Sequence, residues 1–157
     1  MIKGKPIIIG VIGAGKCSKK LAEQAHLIGA TIASHNAILV CGGLGGIMEA
    51  AAQGAKENGG ITMGILPGNT KDSANAYIDI AIPTGIGEAR NAVIVNTADV
   101  LIAMHGKYGT ITEIAFALKS GKPVISPFEW TAFPEIETIP DPEEAVKTAI
   151  DRASYGR

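Results

Sequence analysis

The sequence predicts an α/β protein, a single doubly wound, Rossmann-like parallel sheet flanked by helices. Two observations carry this. Ile- and Val-rich runs alternate with helical patterns along all 157 residues, as parallel strands joined by crossover helices require. The runs are also continuously apolar, as expected of strands buried on both faces. Strands are expected at 6–12, 37–41, 61–65, 78–82, 100–104 and 123–126, with helices at 18–34, 46–58, 88–97, 110–120 and 142–152. The second and fourth helices end at "NGG" and "SGKP", with glycine just past the last turn. The last begins at "DPEE", with Asp141 as N-cap, Pro142 at the first helical position and Glu144 two residues later. The stretch "PFEWTAFPEIETIP" has no clear period and reads as a loop, a candidate flap over the site.

The whole chain, residues 1–157, fits one domain large enough to bury a core without disulfides. With 15 acidic and 14 basic residues the net charge is −1, which provides no general attraction to nucleic acid or anionic membrane. The expected partner is therefore a phosphorylated small molecule, with no nucleic acid and no membrane. Cys17 and Cys41 are too few for a disulfide framework, and no Cys/His cluster suggests a metal. Glycines break the N-terminal apolar run before it reaches the length of a span or signal peptide, so a cytoplasmic protein is expected. Hydrophobic residues make up 46% of the chain and charged ones only 18%, leaving little polar material to cover a small globule. A homodimer packed through the helices of "EARNAVIVNTA" and "TEIAFALKSGK", apolar on more than one side, would resolve that.

Three strand-to-helix turns carry the chemistry. The first, "GVIGAGKCS", misses two phosphate-binding patterns by one residue each. Gly10, Gly15 and Lys16 fit the P-loop, but Cys17 stands where a hydroxyl should hold Mg²⁺. Gly13 and Gly15 fit the dinucleotide turn, but Ser18 stands where the third glycine belongs. A strand opening through glycines into a helix N-terminus remains, and this favours an anion near Gly13, Gly15, Lys16 and Ser18. The second and third turns echo one another without gaps, "CGGLGGIMEAA" against "HGKYGTITEIA". They supply Gly42, Gly43, Gly45 and Gly46, then Gly106, Lys107, Gly109 and Thr110. In an open α/β sheet all three turns lie at the carboxyl edge, where ligands bind.

Glu113 has two readings. Thr110 to Glu113 matches a capping box, in which Glu113 returns a hydrogen bond to the Thr110 amide; alternatively its carboxylate stands on the rim of the pocket and orients a water or sugar hydroxyl. Glu49 holds the equivalent place in the second turn without a Ser or Thr cap partner. Arg90 lies in the first turn of a helix, where the dipole disfavours a cation, and pairs either with Glu88 in solvent or with a bound anion. His105, Lys107 and Tyr108 are further candidates, for packing, phosphate contact and base stacking respectively. No Ser–His–Asp order or nucleophile elbow supports acyl transfer.

The motifs "CGGLGGIMEAAAQGAKENGGITMGILPG", "IPTGIGEARNAVIVNTADVLIA" and "GKYGTITEIAFALKSGKPV" resemble the Rossmann-type SLOG superfamily, over residues 7–124. That superfamily contains the "Lonely guy" phosphoribohydrolases and the molybdenum cofactor carrier proteins, and the resemblance is closest to the carrier-like branch. It implies binding of a phosphorylated nucleotide-like or pterin-like ligand such as molybdenum cofactor, with no resident cofactor required. The hydrolase branch implies instead cleavage of the N-glycosidic bond of a nucleoside 5′-monophosphate. In that branch Gly106, Gly109, Thr110 and Glu113 match the motif P-G-G-x-G-T-x-x-E, and Arg90 matches its upstream arginine, making Arg90 and Glu113 the catalytic pair. His105 replaces the motif's proline, Lys107 its second glycine, and Asn91 the lysine that follows the arginine.

Overall fold

A computed structural model describes residues 4–155. Residues 1–3 and 156–157, which the expected domain includes, lie outside the described residues. In chain order the strands are β1 (Ile8–Ile12), β2 (Ile38–Cys41), β3 (Ile61–Leu66), β4 (Ile80–Pro83), β5 (Val100–Ala103), β6 (Val124–Ser126) and β7 (Glu137–Thr138). The helices are α1 (Lys19–Ser34), α2 (Ile47–Glu57), α3 (Arg90–Thr97), α4 (Tyr108–Lys119) and α5 (Pro142–Tyr155), with a single 3-10 turn at Gly87–Ala89 before α3. All seven strands are parallel, in the order β4-β3-β2-β1-β5-β6-β7. This is the expected α/β, Rossmann-like architecture, and the chain reverses direction across the sheet between β1 and β5.

Residues of the central strands alternate between two cores, which is why those runs are apolar throughout, whereas the edge strand β4 is exposed or half-buried along its length. Ile9, Val11, Leu39, Val100 and Ile102 pack against α1, α2 and α5, through residues such as Ile28, Ile47 and Val146. Ile12, Val40, Ile65, Leu101 and Ala103 face the opposite way, onto Ile94 and Val95 of α3 and Ile114 and Ala117 of α4. Asp141 Oδ1 accepts from the Glu144 amide at 2.9 Å, so the expected cap of α5 forms.

Two expectations are corrected here. The loop 127–140 contains β7, held at the sheet edge by Arg152, which donates to both Glu137 carboxylate oxygens at 2.9 Å. That segment packs down beside β6, with Trp130 Nε1 donating to Ser126 Oγ at 3.1 Å, and it is no flap over the cleft described below. The capping box also fails: α4 begins at Tyr108 with Lys107 as N-cap, so Thr110 and Glu113 lie inside the helix, both buried.

Helices α1 and α2 cross backbone against backbone. A Cβ on Gly29 would stand 1.9 Å from the Ala51 carbonyl oxygen, and one on Gly54 would stand 1.9 Å from that of His26. No side-chain movement relieves a clash with main chain. Gly29→Ala or Gly54→Ala is therefore expected to lower stability by about 1–3 kcal/mol, the range of overpacking. Gly68→Ala, where a Cβ would meet nothing within 4 Å, should change it little. Urea unfolding of the three variants checks this, and equal midpoints would refute the crossing as described.

Candidate functional site

Three loops leave the carboxyl ends of the central strands β1, β2 and β5 and enter α1, α2 and α4. The peptide groups around Ala14 join them. The Ala14 amide donates to the His105 carbonyl at 2.9 Å, and the Ala14 carbonyl accepts from the Ile47 amide at 3.0 Å. Gly46, with φ of 62°, allows this approach, because a Cβ there would lie 2.4 Å from the Ala14 oxygen.

Between these loops and the start of α3 lies a cleft of about 390 Å³. Of the residues expected to bind ligand, Gly13, Gly15, Lys16, Gly42, Arg90, Asn91, Lys107, Gly109, Thr110 and Glu113 line it. The others lie elsewhere. Ser18 caps α1, its Oγ accepting from the Leu21 amide at 3.3 Å. Gly43 packs against Gly64 and Leu66, Gly45 and Gly46 back onto the Ala14–Gly15 main chain, and Gly106 lies against the Thr110 side chain. Glu49 lines a separate shallow depression with Gly46 and Gln53, which meets the main cleft only at Gly15 and Lys16. His105 stacks on Phe128 with ring centroids 3.9 Å apart, and Tyr108 projects into solvent. Reading the sequence missed Ala14, Met48 and Glu88, all of which line the cleft.

Arg90 is only 5% exposed. Its Nη1 donates to the Gly42 carbonyl at 2.6 Å and also to the Ile65 carbonyl, tying the ends of β2 and β3 to the start of α3. It is therefore neither solvated nor bridged to Glu88. Its Nε is the one buried side-chain polar atom without a partner among the described residues. Burial lowers its pKa, opposed by the nearby charges of Glu113 and Glu88. Glu113 is 6% exposed, and burial pushes its carboxyl up to about 8, against the pull of Arg90 and with a further push from Glu88.

The helices differ in how their first turns are satisfied. α1 and α5 have side-chain caps from Ser18 and Asp141. α2, α3 and α4, whose first turns bring Met48, Arg90, Asn91, Gly109 and Thr110 to the cleft, have none. The first N–H groups of a helix lack intrahelical acceptors and carry partial positive charge. The Arg90 amide of α3 is taken by the preceding 3-10 turn and the Ile47 amide of α2 by Ala14, so the other first-turn amides of α2 and α4, with Lys16 and Lys107, are the groups here that suit an anion.

Comparison with known proteins agrees with this architecture. Residues 6–151 match the SLOG cluster4 family. An uncharacterized protein of Archaeoglobus fulgidus is 47% identical over 142 residues, 90% of this chain and 93% of that protein. The molybdenum cofactor binding protein of the phototrophic bacterium Rippkaea orientalis superposes with a TM-score of 0.89 at 35% identity, covering 94% of this chain and 97% of that one. For the molybdenum cofactor carrier protein of Chlamydomonas reinhardtii the TM-score is 0.86 at 33% identity, covering 96% and 99%. With its family match spanning nearly the whole sheet and its three glycine turns meeting at the switch point, the chain belongs to the SLOG cluster4 family.

Proposed function

We propose that this protein binds and carries a phosphorylated, pterin-like anion of the molybdenum cofactor type in the cleft between β1, β2 and β5. The observation that carries this reading is the convergence of the N-termini of α2 and α4, neither with a side-chain cap, with Lys16, Lys107 and the start of α3 on one cleft. The likeness to molybdenum cofactor carriers over the full sheet supports the ligand class. The glycine turns bring main chain to the phosphate, Lys16 and Lys107 add point charge, and Arg90 and Asn91 line the far wall. The ligand is cargo, so no resident cofactor is required, and the partner is a small molecule in place of nucleic acid or membrane. Among the described residues no helix is long and apolar enough to cross a membrane.

A second reading is favoured by one observation, a buried carboxyl of raised pKa beside an arginine in the same cleft. Such a group is suited to general acid–base chemistry near neutral pH. In that reading Glu113 protonates or orients the reacting groups of a nucleoside 5′-monophosphate, and Arg90 offsets developing charge.

The proposed assembly is a homodimer through the α3/α4 face. Ile111 and Phe116 on α4 stand 36% and 45% exposed, and α4 packs beside α3, where Val93 is partly buried.

Three measurements test these readings. Protein incubated with molybdenum cofactor and desalted should retain molybdenum, and Lys107→Ala should weaken binding by about tenfold, the loss of one charge-assisted contact of about 1.4 kcal/mol. No retention by the native protein defeats the carrier reading. Incubation with a panel of nucleoside monophosphates, followed by chromatography for free base and ribose 5-phosphate, decides the second reading. A hydrolase should lose about 10²–10⁴-fold in rate on Glu113→Ala, whereas a carrier should release no base at all. For assembly, Phe116→Glu should convert a dimer to monomer in sedimentation at micromolar concentration, and a monomeric native protein would refute the interface.

A further inference from the structure

We propose that Glu113 holds the ligand as a neutral carboxylic acid, donating its proton to an oxygen of a doubly charged anion, so that each ligand is bound together with one proton. This deepens the binding reading above and rests on it.

The geometry begins with Arg90. Its Nη1 is committed to the main chain at the ends of β2 and β3, and its Nε has no partner. It therefore forms no ion pair with Glu113, although each senses the other's charge. The Glu113 carboxyl makes no hydrogen bond or ion pair within the described residues, yet its oxygens are not sealed off, because Glu113 lines the cleft. A carboxylate this largely removed from water and without a direct counter-ion is costly, so the proton is retained. The groups around it do not reverse this. Arg90 of α3 favours the charged form, but burial outweighs it, and Glu88 in the preceding turn acts in the same direction as burial. Cys41 at the end of β2 is itself pushed up to about 11 by burial and stays a neutral thiol. Lys16 and Lys107 reach the cleft from the flanking loops.

A neutral carboxyl offers one O–H donor, whereas a phosphate monoester dianion offers only acceptors. The two match through a short charge-assisted O–H···O⁻ bond. A carboxylate in the same place would repel the dianion across a desolvated gap. Glu113 thus offers an anion the O–H donor that a carboxylate lacks, while its carbonyl oxygen keeps its capacity to accept. Nothing is transferred in this step beyond sharing of the proton, which stays on Glu113 while the anion is bound.

The sign of the pH dependence follows. The binding form is the protonated one, and in the free protein it predominates below pH about 8. Affinity should be greatest below that pH and fall as pH rises through it, approaching tenfold per unit. Between pH 7 and 9.5 the loss is about 30-fold, a window above the second ionisation of a phosphate monoester near 6.

The experiment is calorimetric titration of the native protein, Glu113→Gln and Glu113→Ala with two probes, molybdenum cofactor and methyl phosphate. Each is run across this pH window and in buffers of different ionisation enthalpy. The native protein should lose affinity about 30-fold over the window and take up close to one proton per ligand at its alkaline end. Glu113→Gln, a neutral donor of the same shape, should bind within about threefold of native at pH 7 with a flat profile, and Glu113→Ala should be weak and flat. A flat native profile with probe still bound overturns the inference and leaves the binding reading standing, as does a native slope surviving in Glu113→Gln. Failure of both probes to bind the native protein at pH 7 removes the binding reading and this inference with it. Should Glu113→Gln not fold, as judged by circular dichroism, the proton count of the native protein decides alone.

Discussion

The cleft depends on the peptide groups either side of one residue. Ala14 donates its N–H to the loop after β5 and accepts from the first residue of α2, so the turn after β1 is bonded to both of its neighbours. Together with the Met104 amide, which donates to the Ile12 carbonyl at 2.8 Å, these bonds tie the three loops to one another at the sheet edge. The bonds require main chain to approach main chain, and Gly46 meets that requirement in both conformation and size. Part of the glycine richness of these turns therefore serves the joint itself. Gly43, Gly45 and Gly46 are spent on packing, while Gly13, Gly15 and Gly42 remain at the cleft surface.

Charge in the cleft is arranged around a second constraint, the burial of Arg90. A cation in the first turn of α3 is opposed by the helix dipole, and removal from water makes it costlier still. The Gly42 and Ile65 carbonyls, at the ends of β2 and β3, offset this by accepting its hydrogen bonds. The position left to Glu113 is near a positive charge but not in contact with one. Burial then decides its state, and the cleft loses a negative charge that would oppose an anion. Two helix termini without side-chain caps, those of α2 and α4, and two lysines are left facing one neutral acid and the more exposed Glu88.

Most of the sheet was legible because a strand buried on both faces needs apolar residues at every position; the edge strand β4 reads the same way although Ile80 and Ile82 stand exposed. β7 was not, since two residues held by an ion pair between Glu137 and Arg152 leave no period to detect. The α1/α2 crossing was equally hidden, because Gly29 and Gly54 acquire meaning only when each meets the other helix's main chain. Within the site, the echo of glycine turns pointed to the right loops but overstated their equivalence. Glu49, the counterpart of Glu113, faces a different depression, and Met48, which reads as core, reaches the cleft. The Thr110–Glu113 spacing imitates a cap; tertiary burial overrides it, since the helix starts two residues earlier and carries both side chains inward.

Lys107 shows how a departure from a glycine motif is accommodated. Its φ is negative, at −112°, so the loop follows its path without the left-handed conformation that would call for glycine at this position. The substitution therefore changes the chemistry of the loop without displacing it, exchanging close backbone contact for a flexible cation at the cleft. Fixed amides grip a phosphate by geometry, and a misplaced anion loses those bonds steeply. A lysine grips by charge over a wider range of positions, at some loss of orientation. Turnover depends on holding the reacting bond in one orientation; carrying a ligand and letting it go does not. On the carrier reading proposed above, a lysine where the motif has glycine suits a cleft that holds cargo, and it sits in a loop whose backbone has no positive φ to demand glycine there.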